Sequence, residues 1–97
     1  WRTFLFPVWW VPDPMQVTVR FFASLREALG PSETVTLGSA ASVAALRDAL
    51  IARGGRYAEA LQRGRAVRCA VDQDMVDESV LLRDGAEVAF FPPVTGG

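Results

Sequence analysis

The sequence contains no histidine and a single cysteine, Cys69. One cysteine cannot form an internal disulfide, and this usage is typical of a reducing cytoplasm. Without histidine, the usual pairs of nucleophile and base and the usual Cys/His metal sites are also missing. We therefore expect that this chain binds no metal and performs no side-chain catalysis of its own.

The chain also lacks a strong charge of either sign. Ten basic and eleven acidic side chains give a net charge of −1. No basic cluster indicates nucleic acid or an anionic membrane as a partner. A chain of 97 residues is long enough for one domain with one small core. We expect a cytoplasmic protein with neither nucleic-acid nor membrane partners.

The first fourteen residues, Trp1–Pro14, differ in composition from the rest. They hold all three tryptophans and three of the six prolines. The segment is too short and too interrupted by proline to span a bilayer, and it lacks the features of a signal peptide. We expect an extension foreign to the domain, disordered or translated from upstream of Met15. The alternative is a hydrophobic anchor or an additional contact with a partner.

Two segments alternate between apolar and polar residues, Gln16–Phe22 and Glu33–Leu37. This pattern predicts two half-buried strands, which can pair antiparallel. Between them, Ser24 with Glu27 three residues later predicts a capping box for a short helix, which Gly30 ends.

The main helix is predicted over Val43–Arg53, with Ser42 as its N-cap. Apolar residues recur along it at helical spacing and form a stripe that faces the core. These residues are Val43, Leu46 and Leu50. Arg47, Asp48 and Arg53 are expected to face water.

In the second half of the chain, the pattern of apolar residues predicts a helical turn over Tyr57–Leu61 and strands over Val67–Val71 and Glu87–Phe91. The alternation places Cys69 inward, where a thiol is unreactive. The acidic run Asp72–Glu78 lacks the spacing of a calcium loop, and we interpret it as a solvated turn. This order of elements predicts an α+β fold, with a mixed sheet packed against one main helix.

The last strand runs into the tail Pro92–Gly97. Proline cannot continue a sheet ladder, so six residues should project from the fold by roughly 20 Å. Gly96 and Gly97 have no Cβ and could enter a narrow channel, with the α-carboxylate of Gly97 as the reactive group. Such an ending also fits a frayed terminus. The rigid pair Pro92-Pro93 favours a directed arm.

Two segments carry a resemblance to a known family. The tail motif FFPPVTGG, Phe90–Gly97, and the opening strand with its helix start, Val17–Glu27, resemble the small, sulfur-carrier subunit of molybdopterin synthase. That family is β-grasp and ubiquitin-like, which implies that the first and last strands are neighbours at the sheet centre. The resemblance covers a domain over residues 15–91 and a tail over residues 92–97.

The resemblance also implies a function. An E1-like adenylyltransferase would adenylate Gly97 with ATP, and a persulfide sulfur donor would convert it to a thiocarboxylate, with Gly96 beside it. The carrier would dock on the large synthase subunit in a heterotetramer. It would then give its sulfur to cyclic pyranopterin monophosphate, forming molybdopterin. No cofactor would be bound permanently, and the catalytic residues would lie on the large subunit.

Strand alternation predicts where such a partner docks. Phe22 and Phe91 fall on the strand faces opposite the core residues, so we expect them to form a joint apolar patch that includes Met75. A covering loop or an inward twist of the strand ends is the alternative. The tail residues expected to enter the partner are Pro92, Pro93, Val94 and Thr95.

Three other functions fit parts of the pattern. A sulfur carrier for thiamine or for another thiolation pathway would share the fold and the Gly-Gly ending. The six residues before that ending, FFPPVT, argue against this alternative. A ubiquitin-like modifier would be conjugated to lysines through Gly97. A plain binding module would function without Gly96 and Gly97.

Overall fold

The computed structural model describes residues 14–93, which hold five strands and three helices. The elements in order are β1 Met15–Phe21, α1 Ala23–Leu29, β2 Ser32–Leu37, α2 Val43–Ile51, α3 Gly55–Leu61, β3 Arg68–Val71, β4 Asp74–Val76 and β5 Glu87–Phe91. The predicted α+β class is confirmed. The predictions for residues 1–13 and for Val94, Thr95, Gly96 and Gly97 lie outside the described residues.

The strands form one mixed sheet in the order β2-β1-β5-β3-β4. At its centre β1 and β5 are parallel, with Thr18 opposite Glu87 and Phe21 opposite Phe90. The other pairs are antiparallel. The prediction that the first and last strands are neighbours is confirmed. Because β5 is held on both sides, the tail leaves the fold from the centre of the sheet.

The core lies between this sheet and the helices. Alternation along β1 and β5 buries Phe21 and Phe90, which are 1% and 0% exposed. Their rings stack, with centroids 6.3 Å apart. The apolar stripe predicted for α2 is fully buried against them. The last strand before the tail is therefore anchored in the buried core of the domain.

The start of α2 follows the sequence prediction, and the start of α1 does not. Ser42 caps α2, because its Oγ accepts a hydrogen bond from the Ala45 amide at 3.1 Å. The capping box at Ser24 is wrong, since the N-cap of α1 is Phe22. The amide of Phe22 donates to the Phe90 carbonyl at 3.1 Å, and its own carbonyl accepts from the Leu25 amide. The helix thus begins directly where strand pairing ends.

Gly30 ends α1, as predicted. Its φ of 94° and ψ of 174° lie in a region that is essentially closed to residues with a Cβ. Its amide donates to the Arg26 carbonyl at 2.8 Å. The chain can therefore reverse at once into β2, which pairs with β1.

Two predictions for α2 are wrong. The helix ends at Ile51 rather than at Arg53, because the chain then turns through Gly54, whose φ is 75°. Arg47 was expected to face water, but only 4% of it is exposed. Its guanidinium is covered by the connection between α3 and β3, to which it donates hydrogen bonds.

The acidic run is more ordered than a solvated turn. It contains β4, which pairs with β3 through Val71 opposite Asp74 and Ala70 opposite Met75. The two residues between these strands, Asp72 and Gln73, have φ values of 49° and 75°. Two positive φ values are typical of the type I′ turn, whose twist matches that of the hairpin strands.

Candidate docking face and tail base

One face of the sheet, opposite the helices, carries an apolar surface at the end where the tail leaves. Phe22 and Phe91 directly follow Phe21 and Phe90, which are paired partners in β1 and β5. One step back along the strands, Ala89 lies opposite Ala70, and Ala70 opposite Met75. We refer to these five residues as the outer apolar face. They come from four neighbouring strands or their ends, although they are distant in sequence.

The larger side chains of the outer apolar face differ in exposure. Phe22 is 37% exposed and Met75 is 59% exposed. Phe91 is half-buried, although it was expected to point away from the core with a free ring. The difference follows from its place on the central strand, where β1 and β3 flank it on both sides.

The outer apolar face is uneven in height because its side chains differ in length. Ala70 and Ala89 lie between the phenylalanines and Met75 in the register of the sheet. Because methyl groups lie between long side chains, the middle of the face is lower than its ends. Such relief suits the insertion of a protruding side chain from a partner.

Positive charge lies beside the phenylalanines. The guanidinium carbon of Arg20 is 5.4 Å from the ring centroid of Phe22, within the range of a cation–π contact. Its Nη1 is 3.6 Å from Oε2 of Glu87, an exposed pair that contributes little to stability. On the other side, the exposed Arg68 lies opposite Phe91. The outer apolar face is thus flanked by two arginines at the end where the tail leaves.

The base of the tail is held by the fold. The sheet ladder ends at Phe91, as the following prolines predict, and both Pro92 and Pro93 are half-buried. Pro92 lines a crevice of about 180 Å³ between α1, α3 and the connection to β3. The other lining residues are Ser24, Leu25, Ala28, Glu59, Ala60, Arg65, Ala66 and Val67. The direction in which the tail leaves is therefore set by packed residues on the helix side.

Cys69 has the properties of a structural thiol, as predicted. It is 3% exposed, and its Sγ donates to the Val76 carbonyl at 3.4 Å. Burial raises its pKa, and the nearby carboxylates of Glu78 and Asp77 raise it further. The protonated thiol is a poor nucleophile.

Within residues 14–93, no group of three or more Cys, Asp or Glu side chains is arranged to hold a metal ion. In the same range no helix is both long and apolar enough to cross a bilayer.

The sequence did not predict the burial of one charged residue, Arg47, and it did not decide whether Leu81 is buried or exposed. Arg47 and Arg63 both pair with Glu78 and form a partly buried network with it. Leu81 is 65% exposed but lies away from the outer apolar face, beside Val76 and Val80 at the edge formed by β4. Neither has a local sequence pattern that distinguishes it from an ordinary surface residue.

The fold and the tail base together define the class of this protein, a β-grasp, ubiquitin-like domain. Small archaeal modifier protein 1 from Haloferax volcanii has the same fold, with a TM-score of 0.68 over 84% of this chain and 99% of that one. At 24% identity, the likeness concerns the fold alone.

Residues 19–97 match the ThiS family, and the chain belongs to that family. It is 44% identical to the molybdopterin synthase sulfur carrier subunit of Escherichia coli over 81 residues, which cover 84% of this chain and 99% of the relative. It also resembles one chain in the structure of the complex of subunits 1 and 2 of the molybdopterin-converting factor from Helicobacter pylori. That match has a TM-score of 0.60 and 27% identity, and it covers 86% of this chain and 100% of the matched one.

Proposed function

We propose that this chain is the sulfur carrier subunit of a molybdopterin synthase. The observation that carries the proposal is its 44% identity, over nearly the whole length, to the Escherichia coli protein of that name. The geometry agrees with it, because a rigid domain presents an apolar face beside a tail base that is aimed by packed prolines. On this proposal the chain is a co-substrate, and the catalytic groups lie on the large subunit.

The chemistry begins at the α-carboxylate of Gly97. A carboxylate with a pKa of about 3.5 is ionised at neutral pH and is a poor electrophile. An E1-like adenylyltransferase therefore joins it to the AMP part of ATP, with release of pyrophosphate. The terminal sulfur of a donor persulfide then displaces AMP. A second thiol cleaves the sulfur–sulfur bond and leaves the thiocarboxylate on Gly97.

The thiocarboxylate is then delivered to the large subunit. The tail residues Val94, Thr95 and Gly96 enter its active site, and the sulfur passes to cyclic pyranopterin monophosphate. The lack of a Cβ in Gly96 and Gly97 allows passage through a narrow channel. The chain itself needs no resident cofactor for these steps, and ATP is consumed at the activating enzyme.

The outer apolar face is the proposed docking surface for the large subunit. Phe22 and Met75 supply exposed apolar area, and Phe91 lies between them and the tail base. Pro92 and Pro93 continue the contact toward the active site. The arginines beside the face favour a partner with carboxylates around a protruding apolar side chain. The unpaired Cys69 fits the cytoplasm as the compartment.

The proposal is tested by moving the reactive carboxylate. A variant with one alanine added after Gly97 places the carboxylate on a residue with a Cβ, one position too far along. With the adenylyltransferase, ATP and the sulfur donor, this variant should show no gain of sulfur by intact-protein mass spectrometry, whereas the unextended chain is loaded. A chain with one alanine added at its N-terminus is the control for the extra mass. Full loading of the C-terminal extension would contradict the proposal.

A further inference from the structure

Arg47 is the one buried charged side chain among residues 14–93. Four of the five N–H donors of its guanidinium have a partner: Nε donates to the Leu61 carbonyl at 2.7 Å, and Nη2 donates to the carbonyls of Gln62 and Arg65 at 2.8 and 3.1 Å. Nη1 pairs with Oε2 of Glu78 at 2.7 Å. Burial of a guanidinium is tolerated only with such extensive pairing.

Two of these four contacts hold the connection from α3 to β3 over residues 62–67, and a third holds Leu61, the last residue of α3. The first five residues of the connection are exposed, and only Val67 packs against the core. The connection therefore has little apolar anchoring of its own. The hydrogen bonds of Arg47 also satisfy the last carbonyl of α3, which has no partner within the helix. The conformation of the connection thus depends on a side chain from α2.

The same connection borders the tail base. Arg65, Ala66 and Val67 form one wall of the crevice that Pro92 lines, and α1 and α3 form the others. Directly after this wall, β3 begins with Arg68 opposite Phe91. A shift of the connection would therefore move both the wall beside the tail base and the start of the strand that supports the outer apolar face.

We propose that Arg47 is a positioning residue for docking: from the interior, it fixes the connection 62–67 as a preformed rim beside the tail base for the large subunit. The inference rests on the proposed function. Preorganisation of the rim lowers the entropy lost on association. Arg47 would affect affinity without contacting the partner, because its side chain is enclosed in the free domain.

The test compares two substitutions on the same helix. Arg47→Met keeps an unbranched apolar stem and removes all the donors, while Glu78 keeps its contact with Arg63. Leu50→Val is the control, since Leu50 is 0% exposed and lies in the core, where the loss of one methylene destabilises the domain without freeing the connection. The readouts are the melting temperature, the Kd for the purified large subunit and hydrogen exchange of the Arg65 amide, which donates to the Gln62 carbonyl at 2.9 Å.

For Arg47→Met we expect exchange at Arg65 to accelerate and Kd to rise at least tenfold. For Leu50→Val we expect Kd within twofold of the unsubstituted chain. An unchanged Kd or unchanged exchange in Arg47→Met would overturn the inference. The inference would also be overturned if Leu50→Val, at the same loss of stability, raised the Kd as much as Arg47→Met does. If Arg47→Met does not fold, Arg47→Lys takes its place, and Kd must still rise at least threefold because an ammonium cannot span these carbonyls. Failure of the unsubstituted chain to bind the large subunit would instead contradict the proposed function.

Discussion

Replacement of Phe22 by alanine should weaken binding to the large subunit about 30-fold. A phenylalanine side chain contributes on the order of 200 Å², so the 37% of Phe22 that is exposed amounts to about 75 Å². At about 25 cal/mol per Å², burial of this area by a partner contributes about 2 kcal/mol. That free energy corresponds to a change in Kd of roughly 30-fold.

The same substitution has a cost in folding that must be separated from the cost in docking. The covered part of the ring and the contact with Arg20 together contribute about 3–4 kcal/mol to the free energy of unfolding. A domain with a stability of about 5–15 kcal/mol remains folded after that loss. The control is Phe21→Leu, one residue earlier on the opposite face and 1% exposed, which should cost about 1–2 kcal/mol in folding.

Isothermal titration calorimetry with the large subunit and urea unfolding of each variant measure the two quantities. Phe22→Ala should lose affinity and stability, and Phe21→Leu should lose stability alone. Phe91→Ala should weaken binding by about 1–4 kcal/mol if it is a hot spot of the same face. The reasoning is refuted if Phe22→Ala binds within twofold of the unsubstituted chain, or if Phe21→Leu loses as much affinity.

Two further predictions concern the backbone and the extension. Gly85 has a φ of +84° with no neighbour within 4 Å of an added Cβ, so Gly85→Ala should cost about 1 kcal/mol through backbone strain alone. Gly38→Ala, with equal space and no such φ, should be neutral or slightly stabilising; equal results in urea unfolding would contradict the strain argument. Removal of residues 1–14 should leave the melting temperature and the Kd for the large subunit unchanged. A loss of either would assign the extension a role in the domain.

Local patterns were enough to predict most of the fold. The alternation in β1 and β5 is uninterrupted, and the Ser42 cap and Gly30 have local physical causes that a sequence displays. The neighbouring positions of β1 and β5 came from the family resemblance rather than from periodicity. Within the candidate site, the outward position of Phe22 was found because alternation assigns each residue to a face.

The features that sequence reasoning missed depend on distant partners. Arg47 follows a core leucine and was predicted to face solvent, yet its backbone acceptors lie 14 to 18 residues further along the chain. β4 has only three residues within an acidic run, and its pairing with β3 requires a turn at Asp72-Gln73 that lacks the usual glycine. The partial burial of Phe91 depends on its neighbours on both sides in the sheet. None of these causes is local in sequence.

The most direct test of the central claim is the intact mass of this chain after it is purified from cells that also express the adenylyltransferase and the sulfur donor. The account predicts a gain of about 16 Da, the difference between sulfur and oxygen, localised to the Gly97 carboxylate that is ionised at neutral pH. Fragmentation should place the gain on the C-terminal peptide. An unmodified mass in the presence of active loading enzymes would contradict the account, and an amide link from Gly97 to a lysine would indicate a modifier instead.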